Sequence, residues 1–426
     1  MRREQFLTRA GAIALAPAGL AELAQAQTAA TRWDGVRAAF ALDPTKRNLT
    51  TFVFAPHPAP VRAAIAKHRR GLDSNAIGYL HAHEDELDAR VLAAAAKYLA
   101  ADPDELALTD STTMGLALVY TGFDLRAGDE VLTSEHDFYA THESLRFAAE
   151  RTGAVVKRTR LYGRPDRASA DEIVSSVTDA ITPRTRVVAL TWVHSSTGVK
   201  LPVRAIARAV AEQNRKRDAA RRIVVAIDGV HALGVEAAHP SQLGIDFLIA
   251  GTHKWLFGPR GTGIVWGNAA AWSHVRSTIP TFDGRAYGAW LFDRPVAIPP
   301  GPRLTPGGYK AFEHRWAAAE AFRFHLEIGR DQIEKHTHAL ATRLKRGLAE
   351  IRPVSLVTPM SSDLSAGIVC FTHARRSAED VVSALARRGV VASVTPYRER
   401  YVRLGPSIAN SEADVDAALK AIRALA

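Results

Sequence analysis

The chain has 426 residues, a formal net charge of +11 and 47% hydrophobic residues. That length exceeds one ordinary core and predicts more than one domain, and the hydrophobic content excludes global disorder. The charge comes from arginines scattered over helical segments such as AEQNRKRDAARR, without a helix-turn-helix or other nucleic-acid motif. It reads as a solvated basic face, compatible with small anionic ligands rather than nucleic acid.

The first 26 residues read as an export signal rather than fold. A basic segment, MRREQFLTR, precedes the apolar AGAIALAPAGLAELA, which is too short to span a bilayer, and AQA at 24–26 offers a small-x-small cleavage site. Arg2 and Arg3 followed by Phe6 and Leu7 resemble a twin-arginine signal, with Gln5 where the aromatic residue usually stands. The expectation is a periplasmic or secreted protein with no stable membrane insertion once the signal is removed.

Residues 27–60 are mixed and punctuated by proline, and are expected to pack with a small domain. From 61 to 295, apolar runs alternate with amphipathic helical runs. The strand candidates are ELALTD, DEVLTSE, AVVKRTRL, TRVVALTWV, RIVVAIDG, DFLIAGT and TGIVWG. This alternation predicts a large α/β domain with a mostly parallel, seven-stranded sheet sandwiched by helices. DRPVAIPPGPRLTPGGY, 293–309, reads as an interdomain connection. Residues 296–426 then form a smaller α+β domain: a long helical segment over 310–350, the strands PVSLVTP, AGIVCFTH, VVASV and YVRLGP, and a closing helix. The single cysteine, Cys370, excludes an intramolecular disulfide and reads as a buried, inert thiol.

Ligands of open parallel sheets sit at the carboxyl ends of the strands. Five polar turns follow strand candidates: DSTTMG at 110–115, SEHDFY at 134–139, HSSTG at 194–198, DGVH at 228–231 and THK at 252–254. The hydroxyls of the first stand at a helix start, where free N–H groups suit a phosphate; alone, they would be an ordinary cap. Asp228 ends an apolar strand and needs a partner such as a protonated heterocyclic nitrogen. Lys254 is the residue type for a Schiff base if its amine is buried. A phosphate, a ring nitrogen and an aldehyde together describe pyridoxal 5′-phosphate.

The order STTMG, EHDFYA, HSSTG, DGVH, THKWLFGPRGTG and YVRLGPS resembles class V aminotransferase-fold enzymes, pyridoxal-phosphate enzymes of fold type I, and within them the isopenicillin-N-epimerase-like branch. The resemblance covers about residues 45–426. It implies that Lys254 forms the Schiff base and carries the α-proton, that Asp228 holds the pyridinium nitrogen and that His231 reaches the ring's phenolic oxygen. Thr112, Thr113, Thr252 and His253 would hold the phosphate. His136 would stack on the ring, with Phe138 as its substitute, and Ser195 or Ser196 would stand near the ring oxygen. Arg403 would clamp a substrate carboxylate, and a homodimer is implied.

Two departures stand out. Where relatives carry a threonine after FE that reaches the partner subunit's phosphate, this chain has His314 and Arg315, so Arg315 becomes the candidate anion ligand. The loop VASVTPYRERYVR lacks the cysteine that desulfurases of this class require. The resulting expectation is an enzyme acting at the α-carbon of an amino acid or peptide-borne amino acid, as an aminotransferase. Epimerisation, decarboxylation or oxidative deamination in secondary-metabolite maturation are the alternatives. A non-catalytic cofactor sensor is the reading from another class.

Overall fold

The computed structural model describes residues 32–426. The expected export segment, 1–26, lies outside the described residues. The chain first contributes β1 (Arg47–Asn48) to a small parallel pair. Seven strands follow: β2 (Leu106–Thr109), β3 (Glu130–Ser134), β4 (Val155–Thr159), β5 (Thr185–Thr191), β6 (Val224–Asp228), β7 (Phe247–Gly251) and β8 (Gly263–Gly267). All seven fall inside the apolar runs expected to be strands.

They form one sheet in the order β2-β8-β7-β6-β5-β3-β4. Every neighbour pair from β7 to β4 is parallel, and β8 runs antiparallel to both β7 and β2. The central strands β6 and β7 are buried at every position. This is why they read as continuous apolar runs rather than alternating ones. Because β8 reverses direction between β7 and β2, β2 points the same way as β3, β5, β6 and β7. The polar turns after these five strands therefore share one edge.

The helix Thr112–Gly122 follows β2 and lies close on the sheet. A Cβ at Gly115 would stand 2.7 Å from Ile249 Cγ2, so only glycine permits this approach. The expected long helix over 310–350 is two helices, Phe312–Ile328 and Arg330–Ala349. Gly329, at φ +92°, breaks them, a conformation that favours glycine.

A second, four-stranded sheet has the order β12-β13-β10-β9, from β9 (Val354–Leu356), β10 (Val369–His373), β12 (Ser393–Val394) and β13 (Val402–Leu404). β11 (Val390–Val391) pairs with β1. The backbone of Leu49 accepts from Gly405 N at 2.7 Å, so residues 47–49 lie along the small sheet. Among the described residues no helix is long and apolar enough to cross a membrane.

The segment 293–309, expected to be a connection, packs on the large sheet instead. Its short helix Pro300–Leu304 lies against β2, where a Cβ on Gly301 would meet the Leu106 carbonyl oxygen at 2.2 Å. Thr305 Oγ1 accepts from Leu108 N at 3.0 Å, satisfying a donor on the free side of this edge strand. Thr305→Val leaves that buried N–H unpaired and is expected to lower stability by about 2 kcal/mol. Urea unfolding should show a lower midpoint with an unchanged slope.

Candidate active site

The turns after β2, β3, β5, β6 and β7 surround a cavity of about 240 Å³. Asp228 is the last residue of β6, at the centre of the sheet. Its Oδ1 accepts from Val230 N at 3.0 Å. Burial pushes the carboxyl up to about 6, while the Val230 N–H and the Lys254 charge pull it down. A carboxylate so placed calls for a cationic N–H donor.

Lys254 sits in the loop between β7 and β8 and points its amine into the same cavity. Burial lowers it from 10.5 to about 8, with Asp228 opposing the shift and Arg403 adding to it. His231 Nε2 stands 3.4 Å from Lys254 Nζ, and His231 Nδ1 accepts from Trp255 Nε1 at 3.3 Å. Burial and the Lys254 charge keep this imidazole neutral. With Nδ1 accepting, the ring proton resides on Nε2 and points at Nζ, which accepts it only as a free amine.

The loop itself is rigidly built. Trp255 is buried and stacks on Phe52 at 5.9 Å. Phe257 closes a turn by donating its N–H to Lys254 O at 3.0 Å and adopts φ +56°. A buried phenylalanine in the left-handed region is strain, held here by packing against Phe40. Ala55 N donates to His253 O at 3.1 Å, so residues 52–55 are tied to the lysine loop. This places Phe52 and Val53 on the cavity wall.

The helix Thr112–Gly122 presents its first N–H groups to the cavity, and these have no intrahelical partner. Ser111 caps the helix through Met114 N at 3.1 Å. Thr112 Oγ1 accepts from Gly251 N at 2.7 Å and so ties the helix start to the end of β7. Thr113 is exposed toward the cavity, and His253, which also lines it, has a buried Nδ1 without a partner. Hydroxyls, free N–H groups and an unpaired imidazole nitrogen suit an anion such as phosphate.

Arg403, on β13, lines the cavity from the small sheet. It makes no ion pair with a described acidic group. Its guanidinium lies over the Phe52 ring at 5.2 Å and donates to Ser195 O at 3.1 Å. Ser195 faces the cavity, whereas Ser196 is buried outside it with Oγ unpartnered.

Besides Ser196, three expected ligands are placed elsewhere. His136 stacks on Tyr162, centroids 3.9 Å apart and planes 9° from parallel, and is not on the cavity wall; Phe138 is. The cause is Asp137, whose carboxylate accepts from Thr133 Oγ1, Ser134 N and Thr191 N and pins the turn. Thr252 bonds the Thr262 hydroxyl and faces a neighbouring cavity. Arg315 lines that neighbouring cavity too, in a two-pronged ion pair with Asp88. Cys370 lies fully buried on β10, its thiol pushed up to about 12 by burial.

Residues to which the sequence assigned no role also shape the site. Phe52 and Pro396 line it, and Tyr397 bonds Ser195. No motif marks them, although 396–397 lie just upstream of Arg403.

The aminotransferase class-V family matches residues 55–417. The chain belongs to this family. Isopenicillin N epimerase of Streptomyces clavuligerus is 28% identical over 351 residues, 80% of this chain and 84% of the relative. A probable cysteine desulfurase of Vibrio cholerae is 25% identical over 283 residues, 65% of this chain and 63% of the relative. Among solved structures, C-DES with glycine covalently linked to the PLP cofactor has a TM-score of 0.82 at 21% identity, covering 91% of this chain and 98% of that one. The cysteine desulfurase CsdA of Escherichia coli has a TM-score of 0.76 at 23% identity, covering 92% and 98%. These structural likenesses establish the shared α/β fold.

The lowered amine is directly measurable. Competitive acetylation of Lys254 in this class-V protein, free of added ligand, should rise with pH through a midpoint near 8. An ordinary lysine amine does so near 10.4. Because the Asp228 carboxylate favours the ammonium form, Asp228→Asn should move the midpoint lower still.

Proposed function

We propose that this class-V enzyme binds pyridoxal 5′-phosphate and acts through Lys254 at the α-carbon of an amino acid, free or peptide-borne, as an aminotransferase. The observation that carries the reading is the pairing of a buried, lowered amine with a buried, raised carboxylate on one cavity. The residues present fit the cofactor: a carboxylate for its ring nitrogen, a helix start with Ser111, Thr113 and His253 for its phosphate, and Phe138 for one face.

When bound, the cofactor supplies an aldehyde for the lysine amine and a ring that draws electrons from a bond at the substrate α-carbon. The protein's own groups do the rest. Asp228 holds a proton-bearing ring nitrogen by a charge-assisted bond. Arg403, buried without a counter-ion among the described residues, holds the α-carboxylate. Burial lowers the Lys254 amine toward the free base that takes the α-proton, and the His231 Nε2–H directed at Nζ orients that free base. Phe52 and Phe138 give the centre an apolar wall.

The distribution of bases supports transamination. His231 and His253 lie on the Lys254 side. Across Asp228, on the β5 and β3 side, the described lining residues Phe138, Thr191 and Ser195 bring no amine, imidazole or carboxylate, and the proton-bearing groups there are the hydroxyls of Thr191, Ser195 and its partner Tyr397. One base suffices to move a proton along one face from the α-carbon to the cofactor. Inversion needs a second acid opposite. Epimerisation is the second reading, favoured by the name of the Streptomyces relative. The burial of Cys370 speaks against desulfuration by a protein thiol.

Two further parts of the proposal rest on other observations. The basic and apolar segments of residues 1–26 support export. The helix Gly284–Leu291 has no buried residue, and Trp290 and Tyr309 are 73% and 80% exposed. This aromatic surface supports docking of a second copy.

Cofactor-loaded protein given an L-amino acid and a keto acid in heavy water should form a new keto acid in step with loss of amino acid. Solvent deuterium at the α-carbon with inverted configuration and no keto acid would replace transamination by epimerisation.

A further inference from the structure

Arg403 has five N–H donors. Three are engaged within the protein: Nε to Ser393 Oγ at 3.3 Å, Nη1 to Ser195 O at 3.1 Å and Nη2 to Val394 O at 3.2 Å. Two remain, one on each terminal nitrogen, available to a carboxylate. The Ser195 carbonyl thus fixes the rotation of the guanidinium. The hydroxyl of the same serine lines the same cavity and bonds a single partner, Tyr397 OH, at 2.8 Å.

Tyr397 is delivered by a tightly knotted loop. Thr395 N donates to Tyr401 O at 2.9 Å, Thr395 Oγ1 donates to Glu399 O at 2.8 Å, and Tyr401 N donates to Thr395 Oγ1 at 2.8 Å. The Tyr397 ring lies edge-on to Phe138, centroids 5.8 Å apart. Its hydroxyl has no other hydrogen-bond partner among the described residues. Burial raises the phenol above its ordinary range, so it keeps its proton at all working pH values.

We propose that Tyr397 is a positioning residue for the substrate carboxylate, acting through Ser195 as a donor chain beside Arg403. In the empty site either hydroxyl can donate to the other. With a carboxylate at the free N–H groups of Arg403, the Ser195 proton turns to the anion, because a bond to a charged acceptor is the stronger one. Ser195 Oγ then accepts from Tyr397, and each bond polarises the next. Ser195 thereby contributes its carbonyl to orient the arginine and its hydroxyl to bind the anion, and Tyr397 sets that hydroxyl's direction.

The inference rests on the reading of the cavity as a pyridoxal-phosphate amino acid site, and its test separates the two. Cofactor-loaded wild type, Tyr397→Phe, Ser195→Ala and the double variant are titrated with L-phenylalanine and L-alanine, and with the matching amines that lack the carboxylate. Binding is read from the cofactor's absorption. The phenylalanine substitution keeps the ring against Phe138, and melting temperature checks the fold of each variant. Tyr397→Phe should retain the wild-type cofactor spectrum and weaken amino acid binding roughly tenfold, about 1.4 kcal/mol, while leaving the amines unchanged. The double variant should lose little more than Ser195→Ala alone.

Equal losses for amino acids and amines, or none for either, would overturn the proposal. So would a changed cofactor spectrum with unchanged amino acid binding, which would assign the hydroxyl pair to the cofactor. Failure of wild type to take up the cofactor would instead overturn the functional reading beneath it.

Discussion

The site depends on one electrostatic constraint: an amine and a carboxylate are buried together at the carboxyl ends of adjacent parallel strands. Asp228 ends β6 and Lys254 follows β7, its hydrogen-bonded neighbour. Desolvation acts on the two in opposite directions, toward a free amine and a neutral acid. Their mutual attraction offsets only part of that desolvation in an empty protein. The arrangement makes physical sense when a ligand supplies a cationic N–H for the acid and an electrophile for the amine. The pair therefore trades stability for readiness, as functional sites commonly do.

Much of the surrounding architecture keeps that pair in place. β8 runs backward between β7 and β2, which makes the lysine loop a hairpin that returns to the sheet instead of leaving it. Trp255 anchors the loop on Phe52, a residue from the segment tied to the small sheet. Phe257 holds a left-handed turn that an unpacked loop would not keep. Arg403 crosses from the small sheet to the Ser195 carbonyl. Both sheets thus contribute to one cavity, and the stretch 47–55 fastens them together.

The strands of the large sheet were legible because central parallel strands are apolar throughout and are bounded by turn residues. Asp228 and Lys254 were legible for a related reason: a charge directly after such a strand stands out. The identity of the residue over the cavity was less accessible. His136 and Phe138 are two apart in one turn, and the choice between them is made by Asp137, whose acceptors reach β5 more than fifty residues away. Arg315 looked like an available anion ligand, but its partner Asp88 is 227 residues distant in sequence. The break at Gly329 could be read from the glycine itself. Tyr397 carries no motif, and its role appears only when the small sheet's loop meets the turn after β5.

The account stands most directly on Lys254 as the residue that bonds the cofactor. Protein loaded with pyridoxal phosphate would be reduced with borohydride, digested and mapped by mass spectrometry, with Lys254→Ala alongside. The account predicts one cofactor mass fixed on the peptide containing THKWLFGPR and none fixed in the variant. Fixation on another lysine in wild type, or undiminished fixation in Lys254→Ala, would contradict it.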